Sequence, residues 1–400
     1  MRRGGMTLVE LMTASTLSLV VIGGMMGAGI RFQTQSLGQQ QKMMAQQSLR
    51  AAADLLSLEL EKAGAGFGAA RLNLGGAVTQ GALVPVTGDT FASDGTFAAP
   101  DGEYAGLISD SLTIYSGVTA ATINLACCPG VGSLGACGAC STRNGSGNIC
   151  TAVQPGSGTF SADSQLVFFN PTMGVACAQK LTSAPNSAAF VTSEGLGSLG
   201  APGGSDPCAS ASTFWCSAST FATQLSAVSF RVNWKPVATG GAQRPRLQRD
   251  PDGPFGPLPF QDLLWDVEQL EVRLLVDDLS NPGAFRFYPD AAAGRPALDQ
   301  CTVATCPVAG GLDAKDTALA LGLTANDGLR AQLQRRVRGV EVSLVSRSLT
   351  SDPAQVRRTG SSEHAHFVTT ADGLPLDGFA RRRVVFQVTP RNFALSEVTP

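Results

Sequence analysis

Charge is scarce in this 400-residue chain: Asp, Glu, Lys and Arg make up 15% of it and balance to a formal net charge of −2. A protein whose main business is coating nucleic acid needs a large positive excess, so no nucleic-acid partner is expected and any polyanion contact is local. No convincing arrangement of nucleophile, base and oxyanion donor is visible either, so the chain does not read as an enzyme. Low charge together with 46 Gly and 22 Pro argues against a helical bundle and for strands, turns and long loops after the N-terminal region. With 44% hydrophobic residues, the chain has material for a sizeable core, arranged as one large domain or two. Ten cysteines, an even number, sit mostly in Gly/Ser-rich stretches rather than apolar runs. That placement reads as disulfide pairing in an oxidising compartment.

The strongest signal is N-terminal. Met1-Arg2-Arg3-Gly4-Gly5 is followed by Met6-Thr7-Leu8-Val9-Glu10 and then by an uncharged, largely apolar run from Leu11 to Ile30. Twenty helical residues rise about 30 Å, the thickness of the hydrocarbon layer, so this run is long enough to span a bilayer. Arg2 and Arg3 precede it and only Arg31 follows closely, which predicts the leader on the cytoplasmic side and the bulk of the chain outside. An ordinary secretory signal is cut after its apolar segment; here the glycine pair lies before it. A carboxylate in hydrocarbon is costly unless neutralised or paired, so Glu10 needs a partner. A cut after Gly5 supplies one, because the new α-ammonium of Met6 lies about one helical turn from Glu10. Gly23 and Gly27 have the spacing of a close helix contact, and equally that of glycines tolerated in a membrane helix.

From Gln33 to about Ala63 the pattern becomes amphipathic, with Leu49, Ala52, Ala53, Leu56, Leu60 and Ala63 recurring at three- and four-residue steps. Gly64-Ala65-Gly66 supplies a stop. Strands are predicted at Ser111–Tyr115, Gln165–Phe169, Val228–Trp234, Val267–Val276, Val337–Val345 and Val384–Val388. The stretch from Val340 to Val345 largely alternates apolar and polar residues, as in an antiparallel strand with one covered face.

Gly4-Gly5 before an apolar run whose fifth residue is acidic resembles the class III signal of type IV prepilins. The resemblance implies that a prepilin peptidase cleaves after Gly5 and N-methylates Met6, and that Glu10 directs assembly by seeking the N-terminal amine of a neighbouring subunit. The stretch Leu49–Gly64, with Val267–Val272, Val337–Leu344 and Arg382–Phe386 ending near Arg391-Asn392, is similar in order to the PilW-like minor pilins. This implies an α+β type IV pilin fold, a long N-terminal helix packed on an antiparallel β-sheet head with a large loop-rich insertion. The expected organisation is a cleaved leader at 1–5, a pilin helix at 6–64 with 11–30 in the membrane before assembly, and a head at 65–400. The Cys/Gly/Ser-rich insertion falls at about 119–221 and holds eight of the ten cysteines.

The expected function is that of a minor type IV pilin that initiates assembly or sits at the pilus tip, supporting adhesion or twitching motility. The expected partners are other minor and major pilins, the prepilin peptidase, the inner-membrane assembly platform and a tip adhesin. The expected location is the inner membrane, single-pass with the head in the periplasm, and then the pilus at the cell surface. The alternative is a minor pseudopilin of a type II secretion system, and a third class is a membrane-tethered binding or metal-sensing protein that never assembles.

Cys208 with Cys216 and Cys301 with Cys306 are near-neighbour candidates for disulfides, the remaining connectivity being open. Cys127, Cys128, Cys137 and Cys140 contain a C-x-x-C pair, but disulfide formation outweighs zinc in an oxidising compartment. Gly130–Gly135 matches a dinucleotide-binding string without the flanking strand and helix, so it reads as a loop. Glu363, His364 and His366 are explained as well by an exposed strand as by a metal, and Arg335-Arg336 and Arg381–Arg383 by a solvated strand edge. No cofactor or metal is expected.

Overall fold

The computed structural model describes residues 7–68, 71–73, 79–87, 96–105, 107–125, 149–150, 160, 164–170, 175–181, 189–190, 192–195, 220–236, 241–255, 258–278, 281, 283–308, 324–348, 379 and 381–391. A long helix, α1 (Leu8–Glu61), comes first. The strands β1 (Arg71–Asn73), β2 (Thr79–Gln80), β3 (Leu83–Thr87), β4 (Asp110–Asn124), β5 (Ile149–Cys150), β6 (Gln165–Asn170), β7 (Val175–Leu181), β8 (Ala189–Phe190) and β9 (Thr192–Gly195) follow. Then come β10 (Phe221–Asn233), β11 (Arg246–Asp250), β12 (Gln261–Trp265), β13 (Val267–Asp277), β14 (Phe285–Tyr288), helix α2 (Ala325–Gln334), β15 (Val337–Arg347) and β16 (Arg381–Val388). The class is α+β: a helix and antiparallel sheets, with β1 and β7 the one parallel pair among the described strands.

Helix α1 runs 54 residues without a break, about 81 Å at the α-helical rise. No proline falls within it. It ends at Glu61, two residues short of the sequence estimate, where Gly64 and Gly66 adopt left-handed backbone and turn the chain back. The Gly64 N–H donates to Tyr115 O, and the Gly117 N–H donates to Ala65 O, so the turn is sewn to β4. A Cβ on Gly117 would sit 2.5 Å from Thr223 Cγ2 and 2.8 Å from Ala65 O, which explains glycine at that point of closest approach.

The predicted stripe is the buried face: Leu49, Ala52, Ala53, Leu56, Leu60 and Ala63 are all in the core, whereas Leu58 between them is 61% exposed. Each fully buried leucine contributes roughly 1.5–3 kcal/mol. The stripe joins one hydrophobic core with the four-stranded sheet β14-β13-β15-β16. Register aligns that sheet's apolar residues in three cross-strand rows: Leu270–Leu344–Val384, Val272–Val342–Phe386 and Leu274–Val340–Val388.

The sequence suggests one covered face for β15; the structure buries both. On the polar side Arg273, Glu341 and Gln387 stand opposite one another in register. Arg273 Nε donates to Glu341 Oε1 at 2.8 Å and Gln387 donates to Glu341 Oε2, so the buried carboxylate is paired. Arg347 and Arg381 also lie opposite each other, a repulsive placement relieved by the buried Glu268. Arg381 donates to Glu268 through Nε and Nη2 at 2.8 and 3.2 Å, and Arg347 Nη1 lies 3.6 Å from the same carboxylate. Arg381 is thus a buried structural group rather than part of a solvated edge, while Arg382 and Arg383 are exposed.

The larger sheet is centred on β10, which takes β4 along one edge and shares the other between β6 and β11. Within 119–221, which the sequence suggests is a loop-rich insertion, β4 extends to Asn124 and β6 and β7 are full members of this sheet. Their Leu166, Phe168, Cys177 and Leu181 form a second apolar cluster with Leu125, Phe160 and Ala222. A continuous apolar run from Leu166 to Phe169 is what a doubly covered strand requires.

Gly117→Ala is expected to destabilise the head by about 1–3 kcal/mol in a chemical denaturation series. Leu56→Asp should release α1 from the head and expose it to proteolysis, whereas Leu58→Asp, one half-turn away, should leave protease resistance unchanged.

Candidate functional site

The candidate site is the part of α1 that none of the described residues covers. Leu8–Ile30 is a continuous 23-residue segment, long and apolar enough to cross a membrane, and none of it is buried. At the α-helical rise it measures about 35 Å against a hydrocarbon layer of about 30 Å. Leu8, Leu19, Val20, Met25 and Met26 stand free, and past the span Phe32, Met43 and Met44 are exposed as well. The span's length and composition are those of a membrane anchor or a signal sequence. Gly23, Gly24, Gly27 and Gly29 have open space where a Cβ would lie, so nothing among the described residues requires glycine there. The hydroxyls of Thr13, Ser15 and Thr16 donate to carbonyls one turn back, which leaves the span with no unsatisfied side-chain donor among these residues.

Glu10 occupies the third position of the helix and closes a capping box with Thr7. Its Oε2 accepts from the Thr7 backbone N–H and from Thr7 Oγ1, both at 2.9 Å, while its own N–H donates to Thr7 Oγ1 at 3.3 Å. The carboxylate therefore satisfies the Thr7 amide at the helix start and lies at the positive end of the helix dipole. Thr7 is the functional residue that the sequence reading passes over, although the Thr-x-x-Glu spacing that signals it is in plain view. Gly5 and Met6 lie outside the described residues.

At its other end α1 is pinned to the head by ion pairs. Arg249 on β11 donates to Glu59 at 3.0 Å, and Arg391 beyond β16 reaches Glu61. These surface pairs contribute little energy beside the buried stripe.

Cys301 and Cys306 are joined in a disulfide and both are buried, with Arg330 Nε of α2 donating to Cys301 O at 3.0 Å. Cys177 is also disulfide-bonded. Cys208 and Cys216 lie outside the described residues, as do the four cysteines of the zinc alternative, the 130–135 glycine string and the trio Glu363, His364 and His366. Among the described residues no group of three or more His, Cys, Asp or Glu is placed to hold a metal ion.

Thr7→Ala removes one side of the capping box. A cap of this kind is worth about 0.5–2 kcal/mol, so the first turn should fray, read as loss of helical Cα shifts at residues 8–10 in detergent micelles with the rest of α1 unchanged.

No protein family, curated protein or solved structure matches the chain.

Proposed function

We propose that the chain is a minor type IV pilin of the PilW-like kind, anchored in the inner membrane with its head in the periplasm and drawn into a pilus through α1. The observation that carries this reading is a single helix with two fates: its last 13 residues, Leu49 to Glu61, carry the stripe buried in the head, and the preceding 41 residues, Leu8 to Ser48, include an apolar span that none of the described residues covers. The apolar span preceded by Gly5, with an acid as the fifth residue after it, adds the processing signal. Under this reading the type IV pilin fold is the specific form of the α+β arrangement, Glu10 meets the N-terminal amine of a neighbouring subunit, and the large head favours the initiating or tip position over repetition along the fibre. The partners are then the other pilins, the prepilin peptidase, the assembly platform and a tip adhesin.

Mass spectrometry of the N-terminal peptide from protein in its native envelope tests the processing. A peptide beginning with N-methylated Met6 is expected; an intact Met1-Arg2-Arg3 leader would make a plain anchored domain the better account. Loss of surface pili on deletion supports the pilus, and loss of exoprotein secretion instead assigns the chain to the pseudopilins. Glu10→Ala is expected to leave the precursor in the membrane and to lower its incorporation into filaments, measured at native expression; undiminished incorporation refutes the role given to Glu10.

A further inference from the structure

Strand β13 has one edge on β15 and the other on β14, but β14 covers only Leu274 to Asp277 of it. Further back, that outer edge is taken by the segment entering β4, which belongs to the other sheet. Ser109 Oγ accepts from the Leu270 N–H at 3.0 Å and donates to Leu270 O at 3.2 Å. Gln269 Nε2 donates to Ile108 O at 3.0 Å, and Asp110 Oδ2 accepts from the Val272 N–H at 2.8 Å. Asp110 is 7% exposed. These side chains do the work of a strand in joining the two sheets.

The groups facing Asp110 are mostly acidic. From β13 comes the buried Glu271, which accepts from Gln269 Nε2; from the short turn Leu298–Gln300 comes Asp299. Asp299 Oδ1 is buried with no hydrogen-bond partner among the described residues. Among the described residues, Arg330 of α2 is the cation that acts on Asp299, and it also donates to Cys301 O. From β3 the residue opposite Asp110 is the uncharged Thr87.

We propose that the Ile108–Asp110 segment is a pH-sensitive clasp between the two sheets, held shut while the Asp110 carboxyl keeps its proton. Ionised, that carboxyl is a buried charge facing two further acids, and exposure to water relieves it. Burial, reinforced by Glu271 and Asp299 and opposed by the Val272 N–H, raises its pKa from 3.8 to about 8. The sign follows: below about pH 4 both forms are protonated and the clasp is tightest. Between about 4 and 8 the open form is ionised and the closed form is not, so the closing equilibrium weakens by up to tenfold per pH unit. Above 8 both are ionised and the dependence ends. The clasp is independent of the assembly reading.

The test is amide exchange of the full chain in detergent micelles between pH 5 and 9, corrected for intrinsic exchange. Protection at Val272 is expected to fall by up to tenfold per unit to about pH 8 and then level, and to be flat in Asp110→Asn, which keeps an oxygen for the Val272 N–H. A flat wild-type profile, or an unchanged slope in the variant, overturns the proposal. Should the variant not fold, the carboxyl resonance of Asp110 in the wild type decides: a midpoint near 8 supports the clasp and one near 4 overturns it.

Discussion

The docking of Leu49, Leu56, Leu60 and Ala63 onto the apolar rows of β13, β15 and β16 is the contact on which the rest depends. It has two consequences of opposite kind. Removing those side chains from water gives the head a core that a four-stranded sheet alone would lack. It also commits the last quarter of α1, Leu49 to Glu61, to the head, where Arg249 and Arg391 meet its final turn. Among the described residues no sheet covers the span Leu8–Ile30, whose apolar side chains stand exposed. The assembly reading is the functional expression of that imbalance.

The opposite face of the same sheet is held by charge. Arg244 grips Asp266 with two hydrogen bonds at 2.8 and 2.6 Å, Asp266 being the non-glycine residue with left-handed backbone at the bend between β12 and β13. Arg347 lies among the rings of Tyr104, Trp234 and Phe379, with centroid distances of 5.9, 5.4 and 4.5 Å. A pair as buried as Arg381 with Glu268 adds little net stability, because desolvation offsets the attraction. The effect of such pairs is on register: slipping β16 by one residue would take Arg381 from Glu268 and Gln387 from Glu341, so each buried carboxylate would lose part of its bonding.

Glu10 shows how one residue serves a local and a larger requirement at once. Its carboxylate is already bonded by Thr7 within its own helix. On the assembly reading, an amine from a neighbouring subunit joins or replaces bonds that stabilise the first turn, so recruitment and the order of that turn are coupled through the same carboxylate.

The sequence by itself determined the periodic elements. The buried stripe of α1, its glycine stop, the apolar span and the strand segments within β4, β6, β10, β13, β15 and β16 follow from local periodicity, because a helix or strand repeats its own environment every few residues. Tertiary structure alone decided what lies opposite what. No local pattern reveals that β10 serves both β6 and β11, that the polar face of β15 is buried, or that β6 and β7 belong to the main sheet and not to a surface loop. Arg381 shows the reason most simply. In sequence it is one of three consecutive arginines, and it is buried against Glu268 because Glu268 lies 113 residues away and is brought beside it through β15. Pairing between distant residues depends on register, and register is set by the whole core.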